Sequence, residues 1–388
     1  MKRFAPTALM FGNIVTGTSI MAPAGMLSEL SSGLGVSINS AALLVTFGAV
    51  VLCIGSPLTA WLTSRIERRT LLTGTLAVLA LTNAASAFAP DYASLLVIRL
   101  IMLAIGALYT PQAAGTGALI VPLEKRGSTI AYIFLGWSLA AAVGLPLITF
   151  VASRYGWRAA YGGVGLLGCF SFLLLAWRLP GGLIGAAVDL KTWCAVGRNR
   201  TIVLLLLVTT LQMSGQFVVF TFMGPLLTRL TGAGPDAVGL VFALYGVFGF
   251  IGIAIATRIV DSWGAYKTSL LFTVLMLTGL TGWALSAGFY PVMAASVAVW
   301  GLGFASTNSM QQVRLVAAAP ALASASVSLN TSVLYIGQAI GSAIGGVLYG
   351  RNLLYSAGYV SMGFVALALL TVILTGSRNG RLKRGEET

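Results

Sequence analysis

Asn13, Thr16 and Ser19 recur at helical spacing inside an uncharged, apolar stretch, "GNIVTGTSIMAPAGML", so all three can share one helix face. Neutral hydrogen-bonding residues interrupt other apolar runs in the same way: Tyr109 and Gln112, Gln212 and Gln216, Asn308 and Gln311, then Asn330, Tyr335 and Gln338. Such groups beside aromatic walls suit an uncharged polar or amphipathic solute. Their other use is interhelical hydrogen bonding that holds a bundle together, which is expected of about half of them. Other chemistry lacks its materials. There is no histidine, and Cys53, Cys169 and Cys194 show neither paired nor metal-like spacing. A zinc site, a disulfide framework and a histidine-based triad are therefore excluded, and no enzyme activity, cofactor or metal ion is expected.

The elements that must position these residues are membrane helices. The chain is 57% hydrophobic and 8% charged, with mean hydropathy +0.93, whereas an ordinary globular domain is about a quarter charged. Charges and Pro/Gly clusters divide it into twelve runs of spanning length, near 6–28, 40–62, 71–89, 92–114, 128–150, 157–177, 202–226, 237–257, 267–288, 290–313, 323–348 and 355–376. Lys2-Arg3, the first run and Ala22-Pro23-Ala24 imitate a signal peptide, but the later runs make this an uncleaved first span. With both termini cytoplasmic, eighteen of the 23 Lys and Arg lie on that side. Arg154, Arg158, Arg229 and Arg351 lie outside, and Arg99 falls within a span. This asymmetry sets the orientation and accounts for the net charge of +14 without nucleic acid.

The less apolar segment 179–200 reads as a cytoplasmic linker between a bundle at 1–178 and another at 201–376, followed by a tail at 377–388. "GSPLTAWLTSRIERRTLL" after the second span is echoed by "GIAIATRIVDSWGAYKTSLL" after the eighth. Internal repeats of this kind belong to transporter folds with the site at the interface of the repeats.

At these residues the chain resembles the major facilitator superfamily, in particular its twelve-helix drug:proton antiporters of the arabinose-efflux-permease type. The resemblance implies an all-α membrane protein of two pseudo-symmetric six-helix bundles in a bacterial inner membrane. The family's loop signature maps onto Gly55, Ser64, Arg65, Glu67, Arg68 and Arg69, with Ser64 and Glu67 replacing the usual Asp and Gly. Its second copy keeps Asp261, Gly264 and Lys267. These residues are expected to latch the cytoplasmic gate. "IRLIMLAIGALYTP" resembles the helix 4 signature through Arg99 and Gly106. "GWSLAAAVGLPLITF" resembles the helix 5 antiporter signature through Gly136, Gly144 and Pro146, where small residues permit close packing and the proline bends the span.

In this fold helix 1 lines the central cavity, so the resemblance implies that Asn13, Thr16 and Ser19 face solute with the other neutral residues named above. Relatives often carry an acid in helix 1; Ile20 stands there in this chain. All nine acids fall in loops, at span ends or in the tail, yet proton antiport needs a titrating group. Three explanations stay open. Glu29 or Asp91 couples to protons with Arg99 as counter-charge, although eight residues put Asp91 about 12 Å from Arg99 along a helix. Alternatively the protein is a facilitator or exchanger, or its solute is anionic and meets Arg99. The expected partners are a small molecule, the lipid bilayer and, if coupled, protons, with the chain acting as a monomer. A solute sensor is the rival from another class, disfavoured because the tail is too short for a signalling domain.

Overall fold

A computed structural model describes residues 4–63, 65–122, 126–184, 195–319 and 322–385, and the chain is built from helices. The N-terminal half contains α1 (Ala5–Gly25), α2 (Leu27–Leu34), α3 (Ile38–Leu62), α4 (Arg68–Ala87), α5 (Tyr92–Gly106), α6 (Tyr109–Leu119), α7 (Arg126–Leu139), α8 (Leu145–Tyr155) and α9 (Trp157–Arg178). The C-terminal half contains α10 (Arg200–Phe220), α11 (Met223–Thr231), α12 (Pro235–Leu285), α13 (Tyr290–Ala318), α14 (Ala323–Gly350) and α15 (Leu354–Gly385). The pairs α5–α6 and α7–α8 are broken spans, whereas α2 and α11 are short helices that follow α1 and α10 at the end of each span. Conversely α12 joins two spans across Gly264, whose φ of 77° belongs to the left-handed region that glycine adopts without strain.

Among the described residues, ten helices are long and apolar enough to cross a membrane. The remaining two long ones, α1 and α13, have 21 and 29 residues. Their hydroxyl and amide side chains lower the apolarity of segments that are otherwise of spanning length.

Two prolines shape the spans that matter most. Pro23 lies inside α1 and cannot donate to the carbonyl four residues earlier, that of Ser19. Pro146 likewise leaves the Ala142 carbonyl without its helical donor, and a π-turn occupies Ala140–Gly144 between α7 and α8. Glycines hold this bent span against α1. A Cβ on Gly136 would lie 2.5 Å from the Met10 carbonyl oxygen, and one on Gly144 would lie 2.5 Å from the Thr18 hydroxyl.

The halves meet along α3 with α14, and along α8 and the π-turn with α12. The Thr46 hydroxyl donates to that of Ser342 at 2.8 Å, and Gly246 abuts the backbone at Ala142. Arg154 faces Asp236 at 3.7 Å. These contacts lie toward the end opposite the chain termini, here called distal, and close the bundle there. Toward the terminal end, α3 leaves Leu58 and Leu62 exposed.

Candidate functional site

Each half carries its own network of neutral polar groups. In the N-terminal half the Asn13 amide donates to the Ile133 carbonyl at 2.9 Å. Its oxygen accepts from the Thr110 hydroxyl at 2.9 Å, which in turn accepts from the Trp137 indole at 3.0 Å. Thr16 donates to the Gly12 carbonyl, Ser19 accepts from Asn83, and Tyr109 donates to the Leu9 carbonyl. In the C-terminal half Asn330 accepts from Thr209 at 2.7 Å and donates to Asn308 at 3.0 Å. The Gln216 oxygen receives both the Tyr245 hydroxyl at 3.1 Å and the Trp300 indole at 3.0 Å. Gln212 donates to Thr273 at 2.9 Å, and its own oxygen is buried without a partner.

Asn13, Thr16, Ser19, Tyr109, Gln112, Gln212, Gln216, Gln311, Asn330, Tyr335 and Gln338 are all buried. Most of their capacity is spent between helices, which stabilises a bundle because an unpaired polar group in apolar surroundings is costly. The members still accessible are Asn308 and, from the residues that sequence reasoning missed, Thr110 and Trp137, all half-buried. Trp137 and Leu334 pack against both of the largest apolar clusters. Tyr245 and Trp300 were also missed. Their signal was available, since a Tyr or Trp in a buried span needs a partner for its polar tip.

Arg99 is 1% exposed and faces neither lipid nor a water-filled space. Its Nε donates to the Leu44 carbonyl at 2.8 Å, and its terminal nitrogens to the carbonyls of Ser19 at 3.0 Å and Ile20 at 2.7 Å. The Ser19 carbonyl is the one that Pro23 leaves without a helical donor, so the guanidinium completes a helix that the proline breaks. It ties α5 to α1 and α3 at the same time.

The two acids expected near it are elsewhere. Asp91 caps α5 in a reciprocal box with Ser94, and the hydrogen bonds from Ser94 hold its carboxyl below the usual carboxylate range. Glu29 sits on α2, where burial pushes its carboxyl up.

The loop cluster is strapped within its own half. Glu67 caps α4 by accepting from the Thr70 amide at 3.2 Å and hydroxyl at 2.5 Å, and it also accepts from the Gly182 amide at 2.8 Å. Those bonds lower its pKa, the Thr70 hydroxyl first. Arg68 is buried and donates to Gln112; Arg69 donates to the Ala176 carbonyl. Gly55 packs against Ala104 and Ala107, while Arg65 and Lys267 are exposed. Ser64 and the side chain of Asp261 lie outside the described residues. Arg314, buried on α13, donates to Thr375 at 2.5 Å and to Gln311 at 3.3 Å, beside the Tyr266 ring.

Comparison with known proteins adds to this geometry. The family model described as Major Facilitator Superfamily matches residues 9–192 and 205–387. The chain is 32% identical over 377 residues to the inner membrane transport protein YdhP of Escherichia coli O157:H7, covering 96% of this chain and 95% of that protein. It is 28% identical over 379 residues to a chloramphenicol resistance protein of Streptomyces lividans, with coverage of 93% and 95%. Among solved structures it resembles a D-xylose-proton symporter with a TM-score of 0.77 at 15% identity, over 97% of both chains.

Proposed function

We propose, for a chain that belongs to the major facilitator superfamily and is a multi-pass membrane transporter, that it exports a small uncharged polar or amphipathic compound of the sugar or drug class. The two bundles rock about a site between the neutral networks of the two halves. One observation carries this reading: the accessible polar groups, Thr110, Trp137 and Asn308, are neutral, Thr110 and Asn308 each held by a buried asparagine and Trp137 by Thr110. The resistance protein of Streptomyces lividans lends support for a drug-like solute. The chain works in the inner membrane with both termini cytoplasmic, as the distribution of Lys and Arg supports. The distally closed bundle is then the state open to the cytoplasm, ready to load solute for export.

In this reading Asn330 positions and Asn308 reads the solute. Asn13, Thr16 and the buried glutamines keep the walls rigid. Arg65, Arg68 and Arg69 with Asp261 and Lys267 bias the cytoplasmic gate, which closes when the bundles rock.

A second reading, a facilitator or exchanger driven by the solute gradient, is favoured by the positions of the acids. None of the nine lies at mid-span, Asp91 is held ionised by its cap, and Arg99 is engaged by three carbonyls.

Liposomes with an internal pH dye test both readings. Solute-dependent proton movement that is lost in Glu29→Gln or Asp91→Asn supports antiport. Solute flux without proton movement supports the facilitator. Asn308→Ala is expected to raise KM for solute while the unfolding midpoint holds, whereas Asn330→Ala lowers both transport and stability. Unchanged transport kinetics in both variants would refute the placement of the site.

A further inference from the structure

At the distal end of the N-terminal half, a cavity of about 390 Å³ is walled by Glu29 and Ser32 of α2 and by Ser153, Tyr155, Trp157 and Arg158 around the α8–α9 turn. That volume falls within the usual range for small-molecule sites, about 300–1,000 Å³. It sits beside the seam between the halves, where Arg154 on α8 meets Asp236 and α2 packs on α11. Its lining comes from the N-terminal half alone, and binding is read without solute, so its failure is distinguishable from failure of the transport reading.

Two opposite charges face this one cavity without meeting. Among the described residues the ion pair formed is Arg154 with Asp236, so Glu29 and Arg158 stand more than 4.0 Å apart. Arg158 is fixed in place: a terminal nitrogen donates to the Ala89 carbonyl at 3.0 Å, and its guanidinium lies 4.2 Å from the centre of the Trp157 ring. A guanidinium has five donors, so most of this fork remains for a ligand. No described side chain donates to the Glu29 carboxylate, and partial burial without a cation raises its pKa. A carboxylate held this way is stabilised by an incoming ammonium.

The rim continues onto an apolar track. Tyr155, Val151 and Leu147 follow one another at four-residue spacing along one face of α8, the first and last 73% and 57% exposed and Val151 half-buried, so the face runs from the cavity toward the middle of the span. Aromatic residues at this level mark a membrane interface.

We propose that this cavity binds a small zwitterion, its primary ammonium on Glu29 and its phosphate on Arg158, the headgroup chemistry of phosphatidylethanolamine. A planar fork matches phosphate oxygens in bidentate fashion, and an acceptor-only carboxylate selects an ammonium that still has N–H donors. A fully methylated ammonium keeps its charge but has no N–H to donate to Glu29, and Arg158 already covers the Trp157 face that would attract it. The acyl chains of the lipid follow Val151 and Leu147.

The test uses the purified full chain in detergent. Native mass spectrometry and thermal unfolding are followed with phosphatidylethanolamine, phosphatidylcholine or phosphatidylglycerol of identical acyl chains. Phosphatidylethanolamine is expected to be retained preferentially. Glu29→Gln and Arg158→Gln are each expected to weaken retention by about tenfold or more, the scale of one lost charge-assisted hydrogen bond. Equal retention of the choline lipid, or unchanged retention in both variants, overturns the proposal. Free phosphoethanolamine separates the sources: displacement of bound lipid assigns recognition to the headgroup alone, and variant-sensitive binding without displacement assigns it to the intact lipid. If either variant fails to fold, Ser32→Trp fills the cavity from an exposed position on α2, and undiminished lipid retention in that variant overturns the proposal equally.

Discussion

Replacing Arg99 with methionine tests whether this buried charge holds helices or carries transport. The side chain makes three interhelical hydrogen bonds, to the carbonyls of Leu44, Ser19 and Ile20. At about 0.6–1.7 kcal/mol for each such bond within a membrane, their loss amounts to about 2–5 kcal/mol. Methionine also removes a buried cation, whose desolvation opposes folding, so the lower half of that range, about 2–3 kcal/mol, is expected. The structural argument makes a sharper claim about Pro23. Pro23→Ala returns an N–H to the Ser19 carbonyl, leaving the guanidinium one fewer orphan to satisfy. In that background Arg99→Met should cost about 1 kcal/mol less, a coupling within the range seen for contacting residues. The assay is a double-mutant cycle of denaturant unfolding in detergent, with transport measured in parallel. Strict additivity would refute the proline-rescue argument. Wild-type stability of Arg99→Met with transport abolished would refute the structural role and return the residue to the solute or proton path.

Three further outcomes follow from the geometry. Glu67→Ala removes the cap of α4 and the strap to Gly182, and is expected to destabilise the N-terminal half by about 1 kcal/mol. Because the folded pKa of Glu67 is lowered, its contribution is complete above the ordinary value near 4.5 and is lost as pH falls through the folded value; thermal midpoints of wild type and variant should converge on acidification. Gly136→Leu drives a side chain into the Met10 carbonyl and the Asn13 side chain, so a loss of folded yield is expected, larger than for Gly74→Ala, where a Cβ meets nothing. For Glu29 the sign is opposite to that of Glu67. Its raised pKa means that burying the ionised carboxylate costs stability at neutral pH, and this cost is relieved as pH falls through the raised value toward the unfolded one. Facing only Arg158 across the cavity among the described charged side chains, it should lose phosphatidylethanolamine over the same window while lipid-free stability rises; pH titrations of the native mass spectra and the unfolding midpoint read both.

Properties local to the chain were legible without coordinates. Spanning length, the absence of histidine, the clustering of Lys and Arg, and the echo between the two halves can all be read without knowing which residues touch, and they led to a two-bundle membrane fold that the family match and the structural likeness support. The Asp91 cap was local too, since its partner Ser94 is three residues away, but in sequence alone Asp91 reads as a proton-coupling candidate instead. What the polar residues do was decided by tertiary structure. Asn13, Thr16 and Ser19 have the spacing of a shared face, but only helix rotation and neighbours decide whether that face meets a cavity or another helix; here Asn13 and Ser19 meet Ile133, Thr110 and Asn83. Arg99 and Pro23 are 76 positions apart, and nothing local to either reveals that one satisfies the carbonyl freed by the other. Glu29 and Arg158 come to one cavity only because α2 folds back over the α8–α9 turn. Period and composition select helices and sides of the membrane, whereas partners for buried charges are chosen by packing between helices that the sequence separates.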